Sequence, residues 1–226
     1  LRLRDTSMFA LGDVKDKTIL DIGCGRGMYL ITFLNLGAKH VAGIDILPHL
    51  ITDAKKTVTE MGADDKDIVQ ANCTDLPFPD NHFDKIFSGD VFEHIDRETK
   101  DKCIAEAFRV LKPGGCFIIK TPNLNYLKKT LVLKRIKGLL RGKNPFNIFI
   151  DHTNNNPDNE HIGLTSHAEL TELFLNNTFH EPEIFHQKLL GRNIPEWMMN
   201  WMENKNGLNE TIIIKATKPI FLGLYP

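Results

Sequence analysis

Between residues 17 and 121 short apolar runs alternate with segments of helical period, and this alternation restricts the fold more than any other feature. Residues 17–22 (KTILDI) form an apolar run ending in glycines, the pattern of a strand buried on both faces. Residues 27–36 then set Leu30, Phe33 and Leu34 at helical spacing, stopped by Gly37. A second strand is predicted over 40–46 (HVAGIDI). The helix after Pro48 places Leu50 or Ile51, Ala54, Val58 and Met61 on one face and ends at Gly62. Strands follow at 67–71 and 83–88, then a helix over 97–111 ended by KPGG, then a fifth strand at 116–121 (CFIIKT). Strands joined through helices need crossover connections, so the sheet is mostly parallel with helices on both faces.

Beyond Thr121 the rhythm breaks. Residues 123–160 are irregular and Asn-rich, interrupted by a basic segment, and read as an insertion on the substrate side after the fifth strand. A capping sequence, S-H-A-E at 166–169, opens a further helix. Two final strands are predicted at 181–188 and 210–217, around a Trp- and Met-rich stretch at 195–207. The expectation is one doubly wound α/β domain over 1–226 with seven strands and the 123–160 segment as an insertion or lid. A length of 226 residues suits that.

A formal net charge of −1 argues against a globally basic nucleic-acid binder. The apolar runs fall short of the roughly 20 residues that span a bilayer, and no signal peptide opens the chain. Cys24, Cys73, Cys103 and Cys116 are far apart in sequence and form no CxxC pair. Reduced, packed thiols and a cytoplasmic location are therefore expected.

The stretch DIGCGRG, residues 21–27, raises the question of its ligand. A dinucleotide loop spaces its glycines G-x-G-x-x-G, whereas this run contracts by one residue, and no G-K-[ST] follows to make a Walker loop. A strand ending in glycines still allows close backbone approach at a helix N-terminus. Asp21, just ahead of the loop, favours a cationic or hydroxylated group over a pyrophosphate. Asp45 ends the second strand, 22 residues after Gly23, where a carboxylate can accept two ribose hydroxyls. Asp75 follows the third strand and can accept from an exocyclic amine, with Leu76 and Phe78 as apolar neighbours. The set fits a nucleoside that carries an amino acid and lacks phosphates.

ILDIGCGRG, GIDI, NCTDLPFPDNHFD and FRVLKPGGCFIIKTPN, in this order and spacing, resemble the class I S-adenosylmethionine-dependent methyltransferases. The small-molecule branch, with the ubiquinone-pathway and related O- and C-methyltransferases, is the most similar. The resemblance is close over 17–121, loose over 160–217 and absent over 123–160. It implies a Rossmann-like sheet and S-adenosylmethionine as methyl donor, with S-adenosylhomocysteine as product. It further implies that Asp21 with Gly23, Cys24 and Gly25 meets the methionine amino and carboxylate groups. Asp45 would take the ribose hydroxyls and Ile46 would pack on the adenine. Cys73, Thr74 and Asp75 would line the adenine edge, and Ser88 would offer its carbonyl to the methionine end. Where the family often has Gly-Asp this chain has Ala71-Asn72, and Asn72 keeps hydrogen-bonding capacity.

The implied acceptor is a small molecule or a lipid- or sugar-linked compound, methylated at oxygen or carbon. An oxygen nucleophile needs a base, for which His94, in GDVFEHI after the fourth strand, and His161, in the insertion, are the candidates. Asp151, His152, Glu160 and His161 match no standard metal-ligand spacing, and no metal is expected. The [DNS]-P-P-[YFW] motif of nucleic-acid amino methyltransferases is absent, since that place reads S-G-D-V-F. An RNA or protein methyltransferase and a non-catalytic donor-binding subunit remain alternatives.

The segment 128–143, KKTLVLKRIKGLLRGK, holds seven basic residues and no acid. On a helix, Val132, Leu133, Ile136, Leu139 and Leu140 share one arc, with Lys134, Lys137 and Arg141 roughly opposite. Such a helix can rest on an anionic membrane or guide an anionic substrate. It can equally be a lid helix that packs its apolar arc on the domain and keeps its lysines solvated.

Overall fold

The computed structural model describes residues 6–142, 144–145, 148, 162–186 and 211–220. Five strands, β1 (Thr18–Ile22), β2 (His40–Asp45), β3 (Ile68–Gln70), β4 (Phe83–Gly89) and β5 (Leu111–Pro122), run parallel. Helices α2 (Met28–Asn35) and α3 (Pro48–Glu60) connect the first three strands, and α4 (Arg97–Val110) connects β4 to β5. β6 (Glu183–His186) and β7 (Thr211–Thr217) complete the sheet, with β7 lying between β5 and β6 and antiparallel to both. The strand order is β3-β2-β1-β4-β5-β7-β6. This is the seven-stranded, mostly parallel, doubly wound α/β sheet that the sequence predicts.

The order reverses between β1 and β4. The chain winds outward from β1 to β3, then returns to lay β4 on β1's free side. Ligands of such sheets bind in the crevice beyond the strand ends at this reversal. The pleat decides which residues of β1 meet which layer. Leu20 and Ile22 pack with α4 and with α6 (His167–Asn176) through Ile104, Ala107 and Phe174. Ile19 packs into the opposite layer, with Leu30, Phe33, Ala54 and Val58 of α2 and α3. Asp21 points the same way as Ile19 and is buried there at 1% exposure.

Two elements differ from the sequence reading. Helix α1 (Thr6–Leu11) is too short to show a period, so nothing in the sequence marked it. It buries Ala10 and Leu11, and the Leu11 carbonyl accepts from the Lys85 ammonium. The KPGG segment, expected as a turn before the fifth strand, is an irregularity within β5. β5 advances from Leu111 to Cys116 while its partner advances only from Phe83 to Lys85. Gly115 fits because a Cβ there would stand 2.8 Å from the Asp84 carbonyl oxygen.

The start of the 123–160 insertion is helical: α5 spans Leu124–Leu139, with the Asn123 side chain capping it by accepting from the Asn125 amide at 3.0 Å. The chain returns beside the point where it left. Asn123 and Thr165 pair as a parallel bridge, and the Leu124 amide donates to the Thr165 carbonyl at 3.0 Å. Gly163 sits against a 3₁₀ turn, Phe92–His94, its amide donating to the Glu93 carbonyl at 2.8 Å. Its carbonyl accepts from the buried Lys100 ammonium. All four cysteines are free thiols. Among the described residues, no helix is long and apolar enough to cross a membrane.

A Cβ on Gly163 would lie 1.8 Å from the Ile95 carbonyl oxygen, so the returning segment docks there only through a glycine. Gly163→Ala is expected to lower the stability by about 2 kcal/mol, read as a shift of the urea midpoint at constant slope. An unchanged midpoint would show that this docking contributes nothing.

Candidate functional site

Beyond the carboxyl ends of β1, β2 and β4 lies a cavity of about 580 Å³, within the ~300–1,000 Å³ usual for small-molecule sites. The glycine loop forms one wall. Gly23 has φ 75°, and a Cβ on it would meet Val91 at 2.2 Å, so only glycine lets the loop lie against the turn that follows β4. Gly25 has φ 52° with open space where a Cβ would stand, so its backbone fronts the cavity.

Asp45 ties the loop to the next strand. Its carboxylate accepts from the Gly25 amide and from the Leu47 amide, each at 3.0 Å. These bonds fix the side chain at the cavity wall while leaving each oxygen further lone pairs. Ile46 and Leu47, both exposed, and Leu50 give this side an apolar surface. Ala71, Asn72 and Cys73 face it from the end of β3. Asn72 also holds its own turn, its Oδ1 accepting from the Thr74 amide at 3.1 Å.

Not every residue singled out by the sequence reaches the cavity. Gly23, Gly25, Asp45, Ile46, Asn72, Cys73 and His94 line it. Thr74 is half-buried behind Asn72, and Asp75 is exposed on the same turn. Cys24 is buried beneath the loop, where burial, then Asp21 and Asp45, push its thiol well above the usual range. Ser88 is fully buried and donates from its hydroxyl to the Ile22 carbonyl at 3.0 Å, joining β4 to β1 below the cavity floor. His161, like Asp151, His152, Glu160 and the 195–207 stretch, lies outside the described residues.

Asp21 is the anomaly. Both carboxylate oxygens are buried, and neither has a hydrogen-bond partner. Burial, with Asp45 nearby, pushes its carboxyl up to about 8. A buried carboxylate without a partner is costly. The cost falls if the group takes a proton or if a cation comes to it. At the root of a glycine loop this suits the ammonium of an amino-acid moiety, so the donor set fits S-adenosylmethionine.

On the opposite wall stand Asp90, Val91, His94, Ile95 and Thr99. Asp90 ends β4 in a left-handed conformation, φ 59°, a strained choice for a non-glycine residue. Its carboxylate accepts from the Lys120 ammonium at 3.0 Å, and Lys120 also donates to the Tyr29 hydroxyl at 3.1 Å. Burial alone would lower the Lys120 ammonium, but Asp90 and Tyr29 outweigh it and hold it above its ordinary range. Sequence reasoning reached the GDVFEHI segment that holds Asp90 and missed Tyr29 and Lys120. Nothing in their local patterns links α2 to the end of β5.

With this geometry in view, comparison with known proteins shows what the chain is similar to. A family model described as a methyltransferase domain matches residues 20–119, from the third residue of β1 to the core of β5. Over these residues the chain is similar to the methyltransferase domain family. Its fold is that of the class I S-adenosylmethionine-dependent methyltransferases, as the sequence motifs implied. The chain is 29% identical over 129 residues to demethylmenaquinone methyltransferase of Listeria monocytogenes, a match covering 55% of this chain and 54% of that protein. It is 34% identical over 116 residues to tRNA U34 carboxymethyltransferase of Cellvibrio japonicus, covering 51% of this chain and 35% of that protein. The chain thus spans about half or less of the curated relatives it matches. Over nearly its full length it is similar in fold to an S-adenosylmethionine-dependent methyltransferase from Methanosarcina mazei. That match has a TM-score of 0.64 at 22% identity and covers 97% of this chain and all of the other, 100%.

The chain carries a pH signature in its ligand-free form. The folded Asp21 carboxyl binds its proton more tightly than the unfolded one, whose value is 3.8. The folded chain therefore holds the extra proton between roughly pH 4 and 8, and stability falls as pH rises through that window. Asp21→Asn is expected to flatten this slope and to raise the melting temperature at pH 8.5 above wild type. Thermal melts across pH check it, and parallel slopes in the two proteins would contradict the assignment.

Proposed function

We propose that the chain transfers a methyl group from S-adenosylmethionine to a small-molecule acceptor at oxygen or carbon. The observation that carries this reading is the unpartnered, buried Asp21 carboxylate beside a glycine loop whose neighbour, Asp45, fronts the same cavity. In the proposal Asp21 and the Gly23–Gly25 backbone hold the amino-acid end of the donor. Asp45 accepts from the ribose hydroxyls. Ile46 and Leu47 pack on one side of the adenine, while Asn72 and Cys73 meet its edge. Thr74 and Asp75 act through the shape of that turn.

The donor, when bound, supplies a methyl group already electrophilic on its sulfonium. What remains for the protein is alignment of the acceptor and exclusion of water. The acceptor wall of the proposal is Asp90, His94 and the Lys120–Tyr29 pair, with the 123–160 segment as its cover. His94 is the candidate base that would take the proton from an acceptor hydroxyl.

A small-molecule acceptor is supported by the demethylmenaquinone relative and by the absence of a [DNS]-P-P-[YFW] motif after β4. The tRNA-modifying relative keeps RNA as the competing acceptor. Asp45→Ala removes the acceptor of two ribose hydroxyls, and charge-assisted bonds of this kind contribute about 1.5–3 kcal/mol each. Its affinity for S-adenosylhomocysteine is expected to fall at least a hundredfold by calorimetry, with the melting temperature monitored for loop loosening. An unchanged dissociation constant overturns the ribose assignment. Incubation of wild type with methyl-labelled donor and fractionated cell extract is expected to label a small organic-soluble or polar product. Label found only in RNA transfers the reading to a nucleic-acid enzyme.

A further inference from the structure

The two readings of the basic segment make opposite statements about one surface. A lid helix buries its apolar arc on the domain, whereas a membrane-resting helix turns that arc outward. In α5 the arc faces outward. Val132 is 56% exposed, Ile136 52%, Leu139 63% and Leu140, just past the helix end, 83%. At about 100° per residue these four fall within an arc of roughly 100°, and Lys129 falls by position within the same arc. The helix is held to the protein by a different face, on which Leu124, Leu127 and Leu131 are half-buried and Gly138 is buried. Arg135 lies on that face too, donating to the Ile148 carbonyl at 3.1 Å.

The charges complete the pattern. Lys128 borders the apolar arc on one side, and Lys137 and Arg141 lie beyond its other border, all three exposed. No Asp or Glu occurs from residue 124 to 150. A protein-facing stripe of this kind would normally be rimmed by both signs of charge, and a nucleic-acid surface would leave the apolar stripe without a role. An apolar stripe interrupted by one lysine, with further bases beside and opposite it and no acids, suits a helix lying in the plane of a lipid interface. There its apolar side chains enter the acyl boundary and its bases meet anionic headgroups.

We propose that α5 is a docking surface for an anionic lipid bilayer. The helix leaves β5 at the same edge of the sheet as the cavity, since Asn123 follows the carboxyl end of β5 directly. Docking therefore sets the cavity edge toward the membrane, where an amphiphilic acceptor is concentrated. The docking itself does not rest on methyl transfer and is measured without donor or acceptor.

The test is co-sedimentation of the whole chain with vesicles of phosphatidylcholine alone or mixed with phosphatidylglycerol, at low and high salt. The chain is expected to sediment with the mixed vesicles at low salt, to release at high salt and to ignore the neutral ones. Replacing Lys128, Lys137 and Arg141 by Ser together is expected to lower the partition coefficient about a hundredfold, at about fivefold per charge. Val132→Ser with Ile136→Ser is expected to lower it at least tenfold. Unchanged melting temperatures of both variants exclude unfolding as the cause. Failure of wild type to sediment with mixed vesicles at low salt overturns the proposal, as does wild-type binding by the Val132/Ile136 variant. A wild-type dimer in sedimentation velocity that the Val132/Ile136 variant dissolves also overturns it, by assigning the stripe to a second copy. Loss of S-adenosylhomocysteine binding with vesicle binding intact would overturn the function proposed above and leave the docking standing.

Discussion

Asp21 places a carboxylate on a central strand, buried among apolar side chains with no hydrogen-bond partner, and the surrounding architecture follows from where it sits. β1 is flanked by β2 and β4, with Asp21 opposite Gly43 on one side and Phe87 on the other. The chain must then turn sharply to start α2, and it does so through Gly23 and Gly25, whose backbone amides and open side form the cavity wall. Gly43 makes room for this turn, since a Cβ there would stand 2.9 Å from the Cys24 sulfur. Asp45 is drawn to the same spot by the Gly25 amide. Asp45 thus lies close enough to raise the proton affinity of the buried Asp21, and a ligand that brings a cation relieves that cost.

Much of this was legible because it is local. A strand that ends in closely spaced glycines announces a tight turn, and an acid at the next strand end announces a carboxylate at the mouth of that turn. Both statements follow from residues within a few positions of each other. The part that was not legible is built across elements. Lys120, Tyr29 and Asp90 come from β5, α2 and the end of β4, and only the sheet order brings them together. Ser88 stands at the strand end where its carbonyl could meet a ligand, and the structure adds a role the sequence does not show: its hydroxyl donates to the Ile22 carbonyl and ties β4 to β1.

The same division applies to the fold. Parallel strands and their crossover helices follow from periodicity, whereas α1 is too short to carry a period and KPGG reads locally as a stop although β5 absorbs it. For α5, helical spacing identified the apolar arc but not its direction. Outward exposure is a tertiary fact, decided by a second apolar face, Leu124, Leu127 and Leu131, that competes for the protein surface. The chain returns at Gly163 and Thr165, next to the turn carrying His94 at the cavity wall.

The central claim is that the orphaned Asp21 carboxylate waits for the amino group of the donor. Calorimetry with S-adenosylhomocysteine and with its analogue lacking the α-amino group tests it most directly, in wild type and in Asp21→Asn. The account predicts that wild type binds the deaminated analogue at least a hundredfold more weakly and that Asp21→Asn removes most of this discrimination. Equal affinity of wild type for the two compounds would contradict it.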